Sequence, residues 1–297
     1  MTTFRSGGFG MATTTTMFVH ESGAAGSPAV VFLHGAGASG LMWREHMARL
    51  GDRFHCLAPD LPGFGRSNRL PPLTVDETAD LIAELIESRS PARRAHLVGL
   101  SWGGGVTHRL LSRHPELVDR AVIDCAGVLT SRGGPLVLLG ITAISPFLHT
   151  RPVVAFFSRI IGMDETGRAD LRAASRRAFR RAFVEGFKGG ISSVELSATS
   201  PTLLTAGETE SAIRPSNAAQ AALMAHAEAR FAPGLGHGWL ARRTALHVRM
   251  VEAWLTGQEL PAELAAERAW PGAVERMRRE LAGEVRRGDH RLAARSR

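Results

Sequence analysis

The apolar residues of this chain alternate between short strand-like runs and longer segments with helical spacing. The strand-like runs cover 29–34, 54–58, 95–100, 121–125, 201–206 and 229–232. Between and after them, apolar positions recur at helical spacing near 41–50, 75–86, 103–113 and 244–255. A capping box at Thr74 and Glu77 marks the start of the second of these helices. Buried strands that alternate with helices predict an α/β protein with a mostly parallel, doubly wound sheet.

One long segment interrupts this alternation. Residues 127–200 show amphipathic helical pattern and loop but no clear strand. Parallel sheets bind ligands at the carboxyl ends of their strands, so we expect this insertion to form a helical cap over a pocket. The organisation predicted is a disordered leader at 1–14, one α/β domain at 15–260 that includes the cap, and a basic helical or disordered tail at 261–297.

Composition agrees with a globular protein and narrows its class. The chain has 297 residues, of which 44% are apolar and 22% charged, and this excludes a mainly disordered or collagen-like protein. Its two cysteines, Cys56 and Cys125, do not form a C-x-x-C motif. We therefore expect buried free thiols rather than a metal site. No signal peptide and no membrane-spanning run is recognisable, so the expected location is the cytoplasm.

The net charge of +8 is concentrated in two segments. Residues 151–190 carry nine Arg and Lys against four Asp and Glu, and 261–297 carry nine Arg against six Asp and Glu. The rest of the chain is balanced, with 18 basic and 18 acidic residues. This distribution predicts a solvated basic face on the cap, with attraction of an anionic substrate or partner as the alternative. We expect neither a nucleic-acid nor a membrane partner.

The clearest chemical motif is the G-x-S-x-G run from Gly99 to Gly103, which follows a strand and precedes a helix. A serine on such a sharp turn leaves room only for small residues two positions away on either side, and the helix N-terminus favours developing negative charge. Ser101 is therefore the candidate nucleophile.

A serine hydroxyl needs an imidazole to accept its proton, and His237 lies in a glycine-rich loop between the last strand and the last helix. His237 is the candidate base.

With these motifs, residues 15–256 resemble the α/β-hydrolase family. The resemblance implies that the acid of a catalytic triad follows the strand before the histidine loop. Glu210 occupies that place, although the family usually has Asp there; Glu208 and Asp124 remain alternatives. It also implies an oxyanion hole from the backbone N–H groups of Ala36, in the His34-Gly-Ala-Gly turn, and of Trp102.

A second glycine motif points to different chemistry. The run Gly35-Ala-Gly-Ala-Ser-Gly40 matches G-x-G-x-x-G between a strand and a helix, and Asp60 ends the next strand. This pattern is typical of dinucleotide binding, with the acid on the ribose. That interpretation leaves Ser101 and the His237 loop unexplained, whereas the hydrolase interpretation accounts for both.

The sequence thus predicts a serine hydrolase with an acyl-enzyme intermediate and no metal or organic cofactor. The expected substrate is a small carboxylic ester or related acyl compound. Apolar cap residues that face the pocket would give that substrate an apolar part. Carbon–carbon bond hydrolysis or lyase chemistry by the same triad, and a non-catalytic ligand-binding protein, are the alternatives. The resemblance also implies that a serine nucleophile disfavours dehalogenase and epoxide-hydrolase chemistry.

Overall fold

An eight-stranded sheet forms the centre of the computed structural model. The structure describes residues 17–126, 134–188, 198–268, 270, 272–279 and 282, and the backbone of 4–5 and 14–15. Side chains of 134–138 and 187–188 lie outside the described set. Two short strands, β1 (Phe4–Arg5) and β2 (Thr14–Thr15), pair with each other outside this sheet. The strands of the large sheet are β3 (Val19–Ser22), β4 (Ala29–Leu33), β5 (His55–Pro59), β6 (Ala95–Leu100), β7 (Val118–Asp124), β8 (Thr202–Gly207), β9 (Ala227–Ala232) and β10 (Ala265–Ala266).

The strand order in the large sheet is β10-β9-β8-β7-β6-β4-β5-β3. The six strands from β9 to β5 run parallel, and β3 and β10 pair antiparallel at the two edges. The six parallel strands are those that the apolar runs predicted. The two edge strands were not predicted, because Val19–Ser22 contains only one aliphatic residue and Ala265–Ala266 has only two residues.

Helices fill the connections between the parallel strands and follow the last of these strands. They are α1 (Arg44–Leu50), α2 (Val75–Arg89), α3 (Trp102–Arg113), α4 (Gly134–Ile144), α5 (Arg151–Ile161), α6 (Glu165–Ala173), α7 (Arg176–Lys188), α8 (Ile213–Leu223), α9 (Trp239–Arg242) and α10 (Thr244–Thr256). The capping box predicted for α2 is present, with Thr74 and Glu77 each bonding the backbone of the other. None of the helices among the described residues has both the length and the apolar composition that crossing a bilayer requires.

Both faces of the sheet are buried. Along β4, Val31 and Leu33 belong to one apolar cluster, which includes residues of α2, α3 and the cap. Val30 and Phe32 belong to a second cluster with residues of α1 and α10. Successive side chains of a strand point to opposite faces, so an unbroken apolar run such as β4 requires cover on both sides. The predicted doubly wound α/β fold is confirmed.

Helices α4 to α7 lie between β7 and β8 and form the inserted cap, named here the cap helices. The domain boundaries themselves stay predictions. Much of the predicted leader, together with residues 127–133, 189–197 and 283–297, lies outside the described residues. Within the tail, residues 273–279 are helical, and Ala273 and Met277 pack against Ala219 of α8. This part of the tail is therefore attached to the domain.

Candidate active site

Ser101 lies in a tight turn between the end of β6 and the start of α3. Its backbone has a φ of 52° and a ψ of −110°, a conformation that few residues other than glycine adopt. A Cβ atom on Gly99 would lie 2.4 Å from the carbonyl oxygen of Gly103, and one on Gly103 would lie 2.1 Å from that of Leu33. Both distances are too short for any side chain. The turn therefore requires glycine at both positions, for the steric reason that the motif predicted.

The turn after β4 packs against this serine. A Cβ atom on Gly35 would lie 3.5 Å from the Cβ of Ser101. His34 fixes the turn, because its Nε2 accepts a hydrogen bond from the N–H of Leu61 at 2.9 Å and its Nδ1 donates to the carbonyl of Gly35 at 2.8 Å. Burial lowers the pKa of His34, so this ring is neutral and held in one tautomer. Ala36 is the next residue of the turn.

The N-terminus of α3 points its first backbone N–H groups away from the helix. Trp102 is the first residue of α3, and no side chain among the described residues caps this helix. Helix N-termini carry unsatisfied N–H donors and a partial positive charge, which stabilise a nearby anion. Of the two predicted oxyanion residues, Trp102 directly follows Ser101, and Ala36 belongs to the turn whose Gly35 packs against Ser101.

His237 and Glu210 are hydrogen-bonded to each other. The Nδ1 of His237 lies 2.6 Å from Oε1 of Glu210, whose other oxygen accepts the N–H of Gly207 at 3.1 Å. Burial lowers the pKa of His237. The hydrogen bond and charge of Glu210, with the charge of Asp124, outweigh that effect and hold the pKa above its ordinary value. The His237 side chain is 31% exposed, so this base can exchange protons with a ligand.

The two alternative acids bond elsewhere. Glu208 accepts the N–H of Gly234 at 2.6 Å through its carboxylate and supports the start of the histidine loop. Asp124 is fully buried, and its Oδ1 accepts hydrogen bonds from the hydroxyl of Thr205 at 2.6 Å and the indole of Trp239 at 2.8 Å. Glu210 is therefore the candidate acid that bonds to His237.

Residues 124 and 125 connect the serine with the histidine loop. The N–H of Ser101 donates to the carbonyl of Asp124 at 2.8 Å. The thiol of Cys125 lies 3.6 Å from the carbonyl oxygen of His237 and within 4.8 Å of the side-chain ligand atoms of both His237 and Glu210. Three sequence-predicted residues, Ser101, Glu210 and His237, therefore surround one short segment at the carboxyl end of β7.

The cap helices contact the loops around this site at three glycines. A Cβ atom placed on Gly37 would lie 2.7 Å from Leu171. One placed on Gly63 would lie 2.1 Å from Ala178. One placed on Gly238 would lie 2.0 Å from the carbonyl oxygen of Ile161. Gly37 belongs to the turn beside Ser101, and Gly238 follows His237. The cap helices therefore cover the site, as expected for an insertion at this end of the sheet.

Polar contacts hold the cap helices in this position. The hydroxyl of Ser39 donates to Asp170 of α6 at 2.5 Å, and Arg44 pairs with Asp164 at 2.6 Å. Inside the cap, the rings of Phe157, Phe179 and Phe183 pack in series, and Phe179 reaches the turn at Gly37. The roof of the site near the serine is thus apolar and aromatic.

Comparison with known proteins assigns the fold. A family model described as alpha/beta hydrolase fold matches residues 28–146. An esterase from Exiguobacterium antarcticum superposes with a TM-score of 0.70 at 19% identity, over 82% of this chain and 96% of that chain. The chain has the α/β-hydrolase fold.

Two curated relatives match a shorter part of the α/β-hydrolase-fold chain. An AB hydrolase superfamily protein of Gibberella zeae is 31% identical over 40% of this chain and 42% of its own length. A pimeloyl-[acyl-carrier protein] methyl ester esterase of Proteus mirabilis is 38% identical over 34% of this chain and 37% of its own length. The chain thus spans about two fifths of the length of these relatives.

The structure gives Asp60 a supporting role in this α/β-hydrolase fold. The buried carboxylate of Asp60 accepts the N–H groups of Gly40 and Arg66, each at 2.7 Å, and contacts His20 at 3.2 Å. It braces the two loops beside the turn at Gly37. Its oxygens are occupied within the protein and do not face solvent, which argues against the ribose contact of the dinucleotide interpretation.

Sequence reasoning missed two features of the site. It treated Cys125 only as a buried thiol, although the structure places the thiol beside Glu210 and His237. It also did not foresee that Asp124 lies 3.5 Å from His247, or that His247 is bonded to His46 at 2.7 Å. The strand ending in Asp124-Cys125 was a usable signal, because residues at the carboxyl end of a central parallel strand lie near the ligand site.

Proposed function

We propose that this protein is a serine hydrolase that cleaves a carboxylic ester or related acyl compound. Ser101 is the nucleophile, His237 the general base and acid, and Glu210 the residue that orients the imidazole. The observation that carries the proposal is the 2.6 Å bond between His237 and Glu210, in a site that also holds the glycine-bounded turn of Ser101. Two of the similar proteins reported above are named as an esterase and as a methyl ester esterase, which supports the same class of reaction.

The chemistry follows from the hydrogen bonds. Because Nδ1 of His237 donates to Glu210, its Nε2 carries the lone pair that accepts the proton of the Ser101 hydroxyl. The serine oxygen attacks the carbonyl carbon, and the N–H groups of Ala36 and Trp102 hold the resulting oxyanion. His237 then gives its proton to the leaving oxygen, and the alcohol departs. A water molecule, deprotonated by the same imidazole, releases the acid from Ser101.

The apolar roof indicates the kind of acyl group. Leu171 and Phe179 lie against the turn at Gly37, and the neighbouring rings of Phe157 and Phe183 extend this surface into the cap. Leu171 and Phe179 are themselves buried, whereas Phe157 and Phe183 are partly exposed. An apolar acyl or alcohol portion would bury its surface against these two rings, at about 25 cal/mol per Å² removed from water. The proposed substrate is therefore a small molecule with an apolar part.

Labelling with a serine-directed fluorophosphonate tests the proposal. We expect a single adduct on the peptide that contains Ser101, and no adduct on a folded Ser101→Ala variant. Ser101→Ala should lower kcat for an ester by about 10⁶-fold, the scale of nucleophile loss in serine hydrolases. A folded wild-type protein that takes no label would contradict the enzyme proposal and favour a ligand-binding role.

A substrate panel separates ester hydrolysis from the other reactions that the same triad supports. Esters with graded acyl chains, a thioester and a β-diketone are compared at equal concentration. We expect ester cleavage with a rate that increases with the apolar surface of the acyl chain. Preferential cleavage of the β-diketone would assign carbon–carbon bond hydrolysis instead.

A further inference from the structure

Three side chains of metal-ligand type converge at the site, from segments far apart in the sequence. Ligand atoms of Cys125, Glu210 and His237 all lie within 4.8 Å of one another. Cys125 follows β7, Glu210 follows β8 and His237 follows β9. The spacing of cysteines along the chain does not reveal this cluster, because the cluster contains only one cysteine. The proposed hydrolytic mechanism makes no use of the thiol.

The distances fit one small cation after a modest adjustment. In tetrahedral zinc sites the metal lies about 2.3 Å from sulfur and about 2.0–2.2 Å from nitrogen or oxygen, which separates any two ligand atoms by roughly 3.3–3.8 Å. The atoms farthest apart here would approach by about 1 Å to reach that range. His237 Nδ1 and Glu210 Oε1, now 2.6 Å apart, would separate by a similar amount to admit the metal between them.

The charges around the thiol favour a cation. The sulfur of Cys125 lies 3.5 Å from Oδ1 of Asp124 and within 4.8 Å of a Glu210 carboxylate oxygen. The backbone directs the thiol into this position, because Cys125 has a φ of 51° directly after the strand. A thiolate, a carboxylate and a neutral imidazole would neutralise a divalent cation, and Asp124 would add a further negative charge nearby. His237 is partly exposed, which gives the cation a route from solvent.

We propose that Cys125, Glu210 and His237 form an inhibitory binding site for a divalent cation of the zinc class. The metal forms bonds to the Cys125 sulfur, to Nδ1 of His237 and to one Glu210 oxygen, with a water molecule as the fourth ligand. The thiol proton leaves to solvent, and the Nδ1 proton is transferred through solvent to Nε2, so the imidazole stays neutral. Because the metal replaces the bond between His237 and Glu210, the imidazole no longer serves Ser101. Metal binding stands independently, whereas the inhibition rests on the proposed hydrolase function.

Inhibition by Zn²⁺ provides the first test. Ester hydrolysis is titrated with ZnCl₂ and then treated with EDTA, and each variant is compared with its own metal-free rate. We expect reversible inhibition of the wild type and about a 100-fold higher half-inhibitory concentration in Cys125→Ala. Cys56→Ala is the matched control, because Cys56 is also a buried free thiol but belongs to the core between the sheet and α1. Equal Zn²⁺ sensitivity in Cys125→Ala and the wild type would overturn the proposal.

A spectroscopic test does not depend on turnover. Co²⁺ is added to Ser101→Ala, which keeps all three ligands, and the near-ultraviolet thiolate-to-cobalt charge-transfer band is recorded. We expect the band in Ser101→Ala, its loss in Ser101→Ala/Cys125→Ser, and its retention in Ser101→Ala/Cys56→Ala. Cys125→Ser keeps the size and the hydrogen-bond donor, and an unchanged melting temperature shows that it folds. Absence of the band in Ser101→Ala would overturn the metal site, whereas presence of the band together with a wild-type protein that hydrolyses no ester would overturn only the hydrolase function.

Discussion

Two carboxylate–histidine pairs lie at the same end of this sheet, and they differ in their access to water. In the first, Glu210 and His237 are bonded at 2.6 Å, and the His237 side chain is 31% exposed. In the second, Asp124 and His247 are in contact at 3.5 Å, and both side chains are fully buried. The same functional groups therefore serve a proposed reaction at a partly exposed site and a structural contact in the core.

The partners of the buried pair explain its structural character. Asp124 accepts hydrogen bonds from Thr205 and Trp239, while His247 bonds to His46. Burial raises the pKa of Asp124, but the interactions with His247, Thr205 and Trp239 outweigh it and bring the pKa below its ordinary value. Burial, with His247 nearby, holds the pKa of His46 well below its ordinary value. Asp124 is thus a buried anion whose donors all belong to the protein.

Replacing each acid by its amide should separate the two pairs most strongly. Glu210→Gln should lower kcat by about 10⁴-fold, because the amide no longer stabilises the imidazolium and holds the wrong tautomer. Asp124→Asn should keep kcat within about tenfold, because it does not bond to His237. Steady-state kinetics with one ester at the pH optimum measures both effects. A large loss in Asp124→Asn with a small loss in Glu210→Gln would transfer the acid role to Asp124.

Truncation of the same acids should reverse the order when stability is measured. Asp124→Ala should lower the free energy of unfolding by about 3–5 kcal/mol, because it leaves buried polar partners without their anion. Glu210→Ala should cost about 1–2 kcal/mol, because one of its two partners, His237, is partly exposed and can bond to water instead. Urea unfolding followed by circular dichroism gives both values. Equal losses would mean that water access does not distinguish the two pairs.

The sequence supports the fold and the first pair better than the second, for a physical reason. The parallel strands, the glycines around Ser101 and the loop of His237 are local patterns in the sequence. Steric limits require the glycines in any chain that makes the turn at Ser101. Glu210 was one of three candidate acids, and the resemblance to the α/β-hydrolase family favoured it because it follows the strand before the histidine loop. The contact of His46 with His247 joins positions 201 residues apart, and no local pattern encodes it. No local pattern encodes the position of Cys125 either, because its neighbours Glu210 and His237 follow two other strands.

Trp239 links the two pairs and provides a smaller perturbation. Its indole donates to Asp124 at 2.8 Å, and it follows His237 by two residues. Trp239→Phe should lower the free energy of unfolding by about 1.5–3 kcal/mol, the range for a bond to a charged acceptor. Trp254→Phe is the matched control, because its indole donates to the neutral carbonyl of Ala121 at 2.9 Å and should cost about 0.5–1.5 kcal/mol. Urea unfolding of both variants measures the difference, and a larger loss in Trp254→Phe would mean that Asp124 is not held as an anion.

The smallest effect concerns the charge that the buried pair exerts on the exposed one. The apparent pKa on the acid side of the kcat/KM profile should lie above about 6.5, the ordinary value for histidine. The reason is that Glu210 and Asp124 outweigh the effect of burial and raise the pKa of His237. Asp124→Asn removes one negative charge, so the imidazolium loses stabilisation and this apparent pKa should move to lower pH by about a few tenths of a unit. The exposed Asp52 serves as the control, and Asp52→Asn should leave the apparent pKa in place. A shift to higher pH in Asp124→Asn would mean that Asp124 influences His237 through the position of the loop rather than through its charge.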